Sequence, residues 1–198
     1  MTYVSVVTIV AYALLIAGLA VISVKDARTR RIPNGWVALL MLLWAAWRLV
    51  LGFAGKYMGL GFWSTLLSPA PEVLGRFGVP IYGVSLSEGI LGALVLGGGM
   101  LVLSAVYELA IHNESFGGGD IKLMAVVGLF LGWERGLMCL LVACVLSVVY
   151  VLVRAAAARV RHAGEPDASG RPMAEPLRSQ TMPFAPFITL GALAAFVS

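Results

Sequence analysis

The sequence predicts an all-α fold, a polytopic membrane bundle of about six transmembrane helices forming one domain over residues 1–198. Three observations lead there. Hydrophobic residues make up 60% of the chain and charged residues only 12%, where a soluble domain carries about a quarter charged residues. The polar remainder is too small to coat a water-soluble globule. The hydrophobicity is also blocked into long runs, the first of which covers 22 residues (3–24) without a formal charge. As a helix that run is roughly 33 Å long, enough to cross a bilayer core of about 30 Å. Finally, the basic residues gather in particular loops instead of spreading evenly.

The first helix is predicted over residues 3–24. No basic residue precedes it and its positive charges follow it, so it reads as a retained span and not as a signal peptide. Asp26 follows at once, in KDARTRRIPN. Pro33 disfavours a helical Ile32 and suits the opening of the next helix, with Asn34 and Gly35 at the turn. The second span, 34–53, is therefore joined to the first by a short, rigid connection into which Asp26 faces. Residues 54–87 are apolar and rich in Gly and Pro, with GFWSTLL in their middle. They read either as a segment lying at the membrane interface, which aromatic residues favour, or as an ordered loop. The third span covers 88–110. A glycine run then leads to Asp120 and a short fourth helix, 121–133, followed by a fifth, 136–153. The stretch 154–180 mixes Pro, Gly, Ala and charge with little to bury, and reads as a flexible basic loop. The sixth helix is predicted over 183–197, and no internal repeat is visible.

Charge orients these spans. The loop after the first helix holds Lys25, Arg28, Arg30 and Arg31, and the loop before the last holds Arg154, Arg159, Arg161, Arg171 and Arg178. With six spans both fall on one side; the other side has Arg48, Lys56, Arg76 and Arg135. The positive-inside rule makes the basic loops cytoplasmic and puts both termini outside. The net charge of +4 thus reports topology, and no nucleic-acid partner is expected. The expected location is the cytoplasmic (inner) membrane, with the lipid bilayer as the chain's surroundings. Cys139 and Cys144 lie inside an apolar run and form neither a CxxC pair nor a disulfide framework, which suits small core residues.

A carboxylate at membrane level is costly, so each one asks for a reason. Of the three aspartates, Asp167 sits in the flexible loop, whereas Asp26 and Asp120 flank membrane helices on the same side. Asp120 stands in FGGGDIKLMAVVGLFLGW. Its glycines permit a sharp bend and close approach, and the start of a helix favours a negative charge. The same features fit a plain N-cap aspartate. Length tips the balance: residues 121–133 make roughly 20 Å of helix, about 10 Å short of a bilayer core. The glycine loop and Asp120 would then be submerged, which backbone tolerates only within protein or along a watery cavity. Two aspartates facing one cavity share a proton: the ionised one takes a proton from water and the protonated one polarises a peptide carbonyl. That is aspartic protease chemistry, and it requires no metal or other cofactor.

These motifs resemble the type IV prepilin peptidases, a family of GxGD intramembrane aspartic proteases. DARTRRIPN is similar to the family's first aspartate motif, and GGGDIKLMAVVGLFLGW to its GxGD motif with the following Lys, Leu and Gly-Trp. PFAPFITLGALAAF is similar to its last helix. The resemblance implies an endopeptidase that cuts the short basic leader from prepilins or pilin-like (pseudopilin) secretion subunits on the cytoplasmic side. It implies Asp26 and Asp120 as catalytic residues, Gly117, Gly118 and Gly119 as the active-site loop, and Lys122 at the family's usual lysine position. Glu114 is a candidate for binding the basic leader at the cavity mouth. Many bacterial members carry an insert with paired CxxC motifs between the first helix and the first aspartate, which supports N-methylation of the product. Here Asp26 follows the first helix directly and no CxxC exists, so cleavage without methyl transfer is expected.

Three other readings compete. A presenilin-like or signal-peptide-peptidase-like GxGD protease typically has Tyr before its first aspartate, where this chain has Lys25. A small ion- or proton-coupled transporter suits carboxylates at broken helices, but the chain lacks a two-fold repeat. A non-catalytic assembly subunit has no use for two costly carboxylates. Glu88 and Glu108 read as interfacial or cavity-lining, and His112 as a solvated loop residue.

Overall fold

The computed structural model describes residues 2–30, 32–67, 84–111, 117–162 and 184–197. Every regular element among them is helical: α1 (Thr2–Thr29), α2 (Asn34–Tyr57), α3 (Phe62–Leu67), α4 (Leu86–Ala93), a π-helical turn (Leu94–Gly98), α5 (Gly99–Ile111), α6 (Gly118–His162) and α7 (Ala185–Val197). Four continuous runs are long and apolar enough to cross a membrane: Val6–Thr29, Asn34–Tyr57, Leu86–Val106 and Gly118–Ala157. The chain is a polytopic helical membrane bundle. In lipid a backbone must satisfy its own hydrogen bonds, so charge-free runs of this length have helix as their only single-segment solution.

The six expected spans map onto these elements with three differences. The first helix does not stop before Asp26 but runs on to Thr29, so Asp26 occupies its last turn. Arg30 ends the helix in the left-handed region (φ 52°) and donates its N–H to the Asp26 carbonyl at 2.8 Å, a C-terminal cap without glycine. The second helix opens after Pro33 (φ −69°, ψ 120°), as expected. The fourth and fifth spans are two arms of one helical run hinged at Gly132 (φ 75°, ψ −177°), a conformation open essentially to glycine alone. Finally, the second arm continues to His162, well into the stretch read as a flexible loop. Residues 163–180 of that stretch lie outside the described residues.

The third span runs unbroken from Leu86 to Ile111 through the π turn. Its start is fixed by a reciprocal cap: Ser85 Oγ accepts from the Glu88 N–H at 3.1 Å and Glu88 Oε2 accepts from the Ser85 N–H at 2.8 Å. Glu88 is thus a capping residue, a role its sequence position had not suggested. Where this span crosses the first arm of α6, both surfaces are stripped to small residues. A Cβ on Gly92 would lie 2.4 Å from the Gly128 carbonyl oxygen, and one on Gly97 would lie 2.8 Å from the Ala125 Cβ. Membrane helices associate by close packing, without a hydrophobic drive, and such contact is what small residues permit.

Away from the aspartates the core is aromatic. Tyr12 packs edge-on against Trp47 (5.4 Å between centroids), Phe130 (6.1 Å) and Phe196 (5.1 Å), and Trp47 stacks on Phe130 at 6.0 Å. The Tyr12 hydroxyl donates to the Phe130 carbonyl at 3.1 Å, one of the carbonyls left over where the helix breaks at Gly132. Arg48, counted in the sequence among the loop charges of this end, is instead buried inside α2. Its guanidinium donates to the carbonyls of Val84 (3.0 Å) and Leu66, so one fork ties α3 and the entrance of α4 to α2. GFWSTLL contributes α3, with Trp63 exposed. Cys139 is buried, while Cys144 is exposed on the outer face of α6 and is not a core residue.

Candidate active site

Asp26 and Asp120 come from helices whose ends meet at the same end of the bundle. Asp26 is only 5% exposed. Its burial follows from the extra turn of α1, which carries it inside the helix and up against the start of α7. There Oδ2 accepts the Ala185 N–H at 3.2 Å, and the Phe184 backbone N–H bonds the same carboxylate. Asp120 lies in the first turn of α6, partly buried, with its own N–H closing a turn onto the Gly117 carbonyl at 2.9 Å. At Asp120 burial is the larger electrostatic influence and the Asp26 charge the smaller.

Two contacts hold the α6 start onto the connection between α1 and α2. Gly119 lies against Ile32 so closely that an added Cβ would fall 2.8 Å from the Ile32 Cβ. One turn on, Lys122 Nζ donates to Asn34 Oδ1, the first residue of α2, at 3.1 Å. Three residues of GGGDIK therefore have separable positions: Gly119 gives close approach, Asp120 the carboxylate, Lys122 a strut. Gly117 and Gly118 are less constrained. Neither has positive φ, a Cβ on Gly118 would meet nothing within 4 Å, and one on Gly117 would only touch Asp120 Oδ2 at 3.5 Å. On the other flank, Lys25 Nζ stands over the Trp36 ring at 5.3 Å, a cation–π contact. Glu114, the candidate for leader binding, lies outside the described residues, as do His112 and Asp167.

Sequence reasoning missed the part played by α7. Beyond its backbone bonds to Asp26, Thr189 on α7 shares a hydrogen bond with Ser23 on α1 (2.6 Å between oxygens), one turn above Asp26. Gly191 sits so near the second arm of α6 that a Cβ would be 2.4 Å from the Cys139 carbonyl oxygen. The two prolines of PFAPF were the available signal, because they delete helix N–H donors and leave a short list of those remaining.

Chemically, the arrangement is two carboxylates at adjoining helix ends, one gripped by backbone donors, in a helical membrane protein. A family model described as the type IV leader peptidase family matches residues 13–152, which include both aspartates and the first arm of α6. Among curated proteins and among solved structures no match is found.

Proposed function

The chain belongs to the type IV leader peptidase family, and we propose that it is an aspartic endopeptidase that removes the short basic leader from prepilins or pilin-like secretion subunits. The meeting of Asp26 and Asp120 at adjoining helix ends supports this reading. In such a pair one carboxylate is ionised and the other protonated. The ionised group takes a proton from water as its oxygen bonds to the scissile carbonyl carbon, while the protonated group gives its proton to the carbonyl oxygen. Collapse of the resulting diol breaks the C–N bond. The first carboxyl then protonates the departing nitrogen, and the second recovers its proton from a diol hydroxyl. Both side chains end as they began, with no covalent enzyme intermediate.

The site faces the cytoplasm of an inner-membrane enzyme in this proposal. Lys25, Arg28 and Arg30 stand at the aspartate end of α1, and Arg154 follows the apolar part of α6 towards the same end, a distribution that the positive-inside rule assigns to the cytoplasmic face. The product leaves without N-methylation, since Asp26 is part of α1 itself and the two cysteines lie apart on α6. The test is incubation of the purified chain in liposomes with a single-span substrate bearing a basic leader. The products are then weighed by mass spectrometry, with and without S-adenosylmethionine. One cut just before the hydrophobic segment, with an unmodified new terminus in both samples, is expected. A methylated terminus would refute the last point, and an intact substrate the whole reading.

A further inference from the structure

The opening of α7 reads Pro183-Phe184-Ala185-Pro186-Phe187. A helix begins with N–H groups that have no acceptor inside the helix, so each can be traced. The N–H groups of Phe187 and Ile188 both reach the Phe184 carbonyl, at 3.0 and 3.2 Å. Pro186 has no N–H. Two donors remain, those of Phe184 and Ala185, and both bond to the Asp26 carboxylate. Among the described residues no backbone N–H reaches the Asp120 carboxylate in this way. Both donors also lie at the positive end of the α7 dipole, where an anion is favoured.

The cradle is braced. Thr189 Oγ bonds the Ala185 carbonyl at 3.0 Å and Ser23 on α1, while Gly191 is pressed onto α6 at Cys139. Few other charges intervene. α7 and the first turn of α2 bring none; α6 brings Asp120 and Lys122, the latter bonded to Asn34, and its second arm brings Tyr150, packed on Phe187, with Arg154 one turn beyond. α1 adds Lys25, placed over Trp36, with Arg28 and Arg30 beyond it.

We propose that Phe184 and Ala185 form an anion cradle that holds Asp26 as the ionised, water-activating member of the pair and leaves the shared proton on Asp120. This rests on the peptidase reading above and adds a division of labour that the reading leaves open. Phe184 and Ala185 are positioning residues: they act through Asp26 and need not touch substrate.

Ala185→Pro deletes one donor at the first position of a helix, where proline is tolerated. Ala185→Gly keeps that donor and serves as the control. With a basic-leader substrate, the proline variant should lose about ten- to a hundredfold in kcat, the worth of one hydrogen bond to a charged group, with KM nearly unchanged. The acid limb of its kcat profile should move to higher pH, while the glycine variant keeps the wild-type profile. A proline variant with wild-type kcat and profile, or a glycine variant as impaired as the proline one, would overturn the cradle. A second measurement needs neither variant to fold nor any cleavage. In 15N-alanine-labelled wild type in micelles, the Ala185 amide resonance should shift with pH, and the shift should vanish in Asp26→Asn. An Ala185 amide indifferent to both refutes the cradle even if the enzyme cuts. A responsive amide in a chain that cuts nothing sustains it while the peptidase reading falls.

Discussion

The Asp26 carboxylate accepts the backbone N–H of Ala185 at 3.2 Å, across 159 residues of sequence. This bond docks the start of the last helix on the last turn of the first, and so fixes one of the two carboxylates from outside its own segment. Gly119 and Lys122 do the equivalent for the α6 start by seating it on Ile32 and Asn34. The pair is thus held by four chain segments, and each hold can be tested separately.

The glycines of GGGD should not be equivalent. Gly119→Ala puts a methyl 2.8 Å from the Ile32 Cβ, which must push the helix start and Asp120 away. Since displacements of about 1 Å at a site can cost two orders of magnitude in rate, cleavage should fall by about tenfold or more, with partial recovery when Ile32→Gly, which removes the opposing Cβ, is added. Gly118→Ala meets open space and should cut at close to the wild-type rate. Initial rates of the three variants decide between this pattern and a uniform requirement for glycine.

Arg48 should matter for stability and not for chemistry. Its removal as Arg48→Leu leaves the buried carbonyls of Val84 and Leu66 without this donor. At about 1–3 kcal/mol for each abandoned group, the loss should be roughly 2–6 kcal/mol. Arg48→Lys should recover little, because one ammonium cannot reproduce a fork aimed at two carbonyls. Thermal unfolding in detergent provides the check, and the Leu variant that remains folded should retain its kcat.

The crossing of the third span with α6 should be the least tolerant of added bulk. Gly92→Ala drives a methyl to 2.4 Å from the Gly128 carbonyl oxygen, and overpacking of this kind costs about 1–3 kcal/mol. Gly98→Ala and Gly99→Ala, with nothing within 4 Å, should be neutral or stabilising by up to about 1 kcal/mol. Equal melting temperatures for Gly92→Ala and Gly98→Ala would contradict the packing described.

The helices themselves were legible because their cause is local: charge-free runs in lipid have one backbone solution, and Pro33 marks the start of α2 where it is found. That Asp26 and Asp120 lie near helix ends was legible from charge placement and the glycine run; that these two ends adjoin was not. What composition could not show were the features decided by partners distant in sequence. Asp26 stays helical because Arg30 caps the helix behind it in a conformation that arginine seldom takes. Arg48 is buried because two carbonyls wait for it, and nothing in RLVLGF records that. Gly132 carries a hinge with helix on both sides, since one residue of positive φ breaks the helical run where the break was expected after residue 133. The donors of PFAPF could have been counted from its prolines, but their acceptor belongs to another helix.

The central claim is that Asp26 and Asp120 act as one pair in peptide hydrolysis. The most direct measurement is cleavage of a basic-leader substrate in liposomes by wild type, Asp26→Asn and Asp120→Asn, each checked for folding. Asparagine keeps the shape and removes the titratable proton and the charge. Wild type is expected to cut, and each variant, though folded, to lose at least about a thousandfold in kcat, with the double variant no worse than either single one. A folded single variant that cuts at the wild-type rate would contradict that pairing.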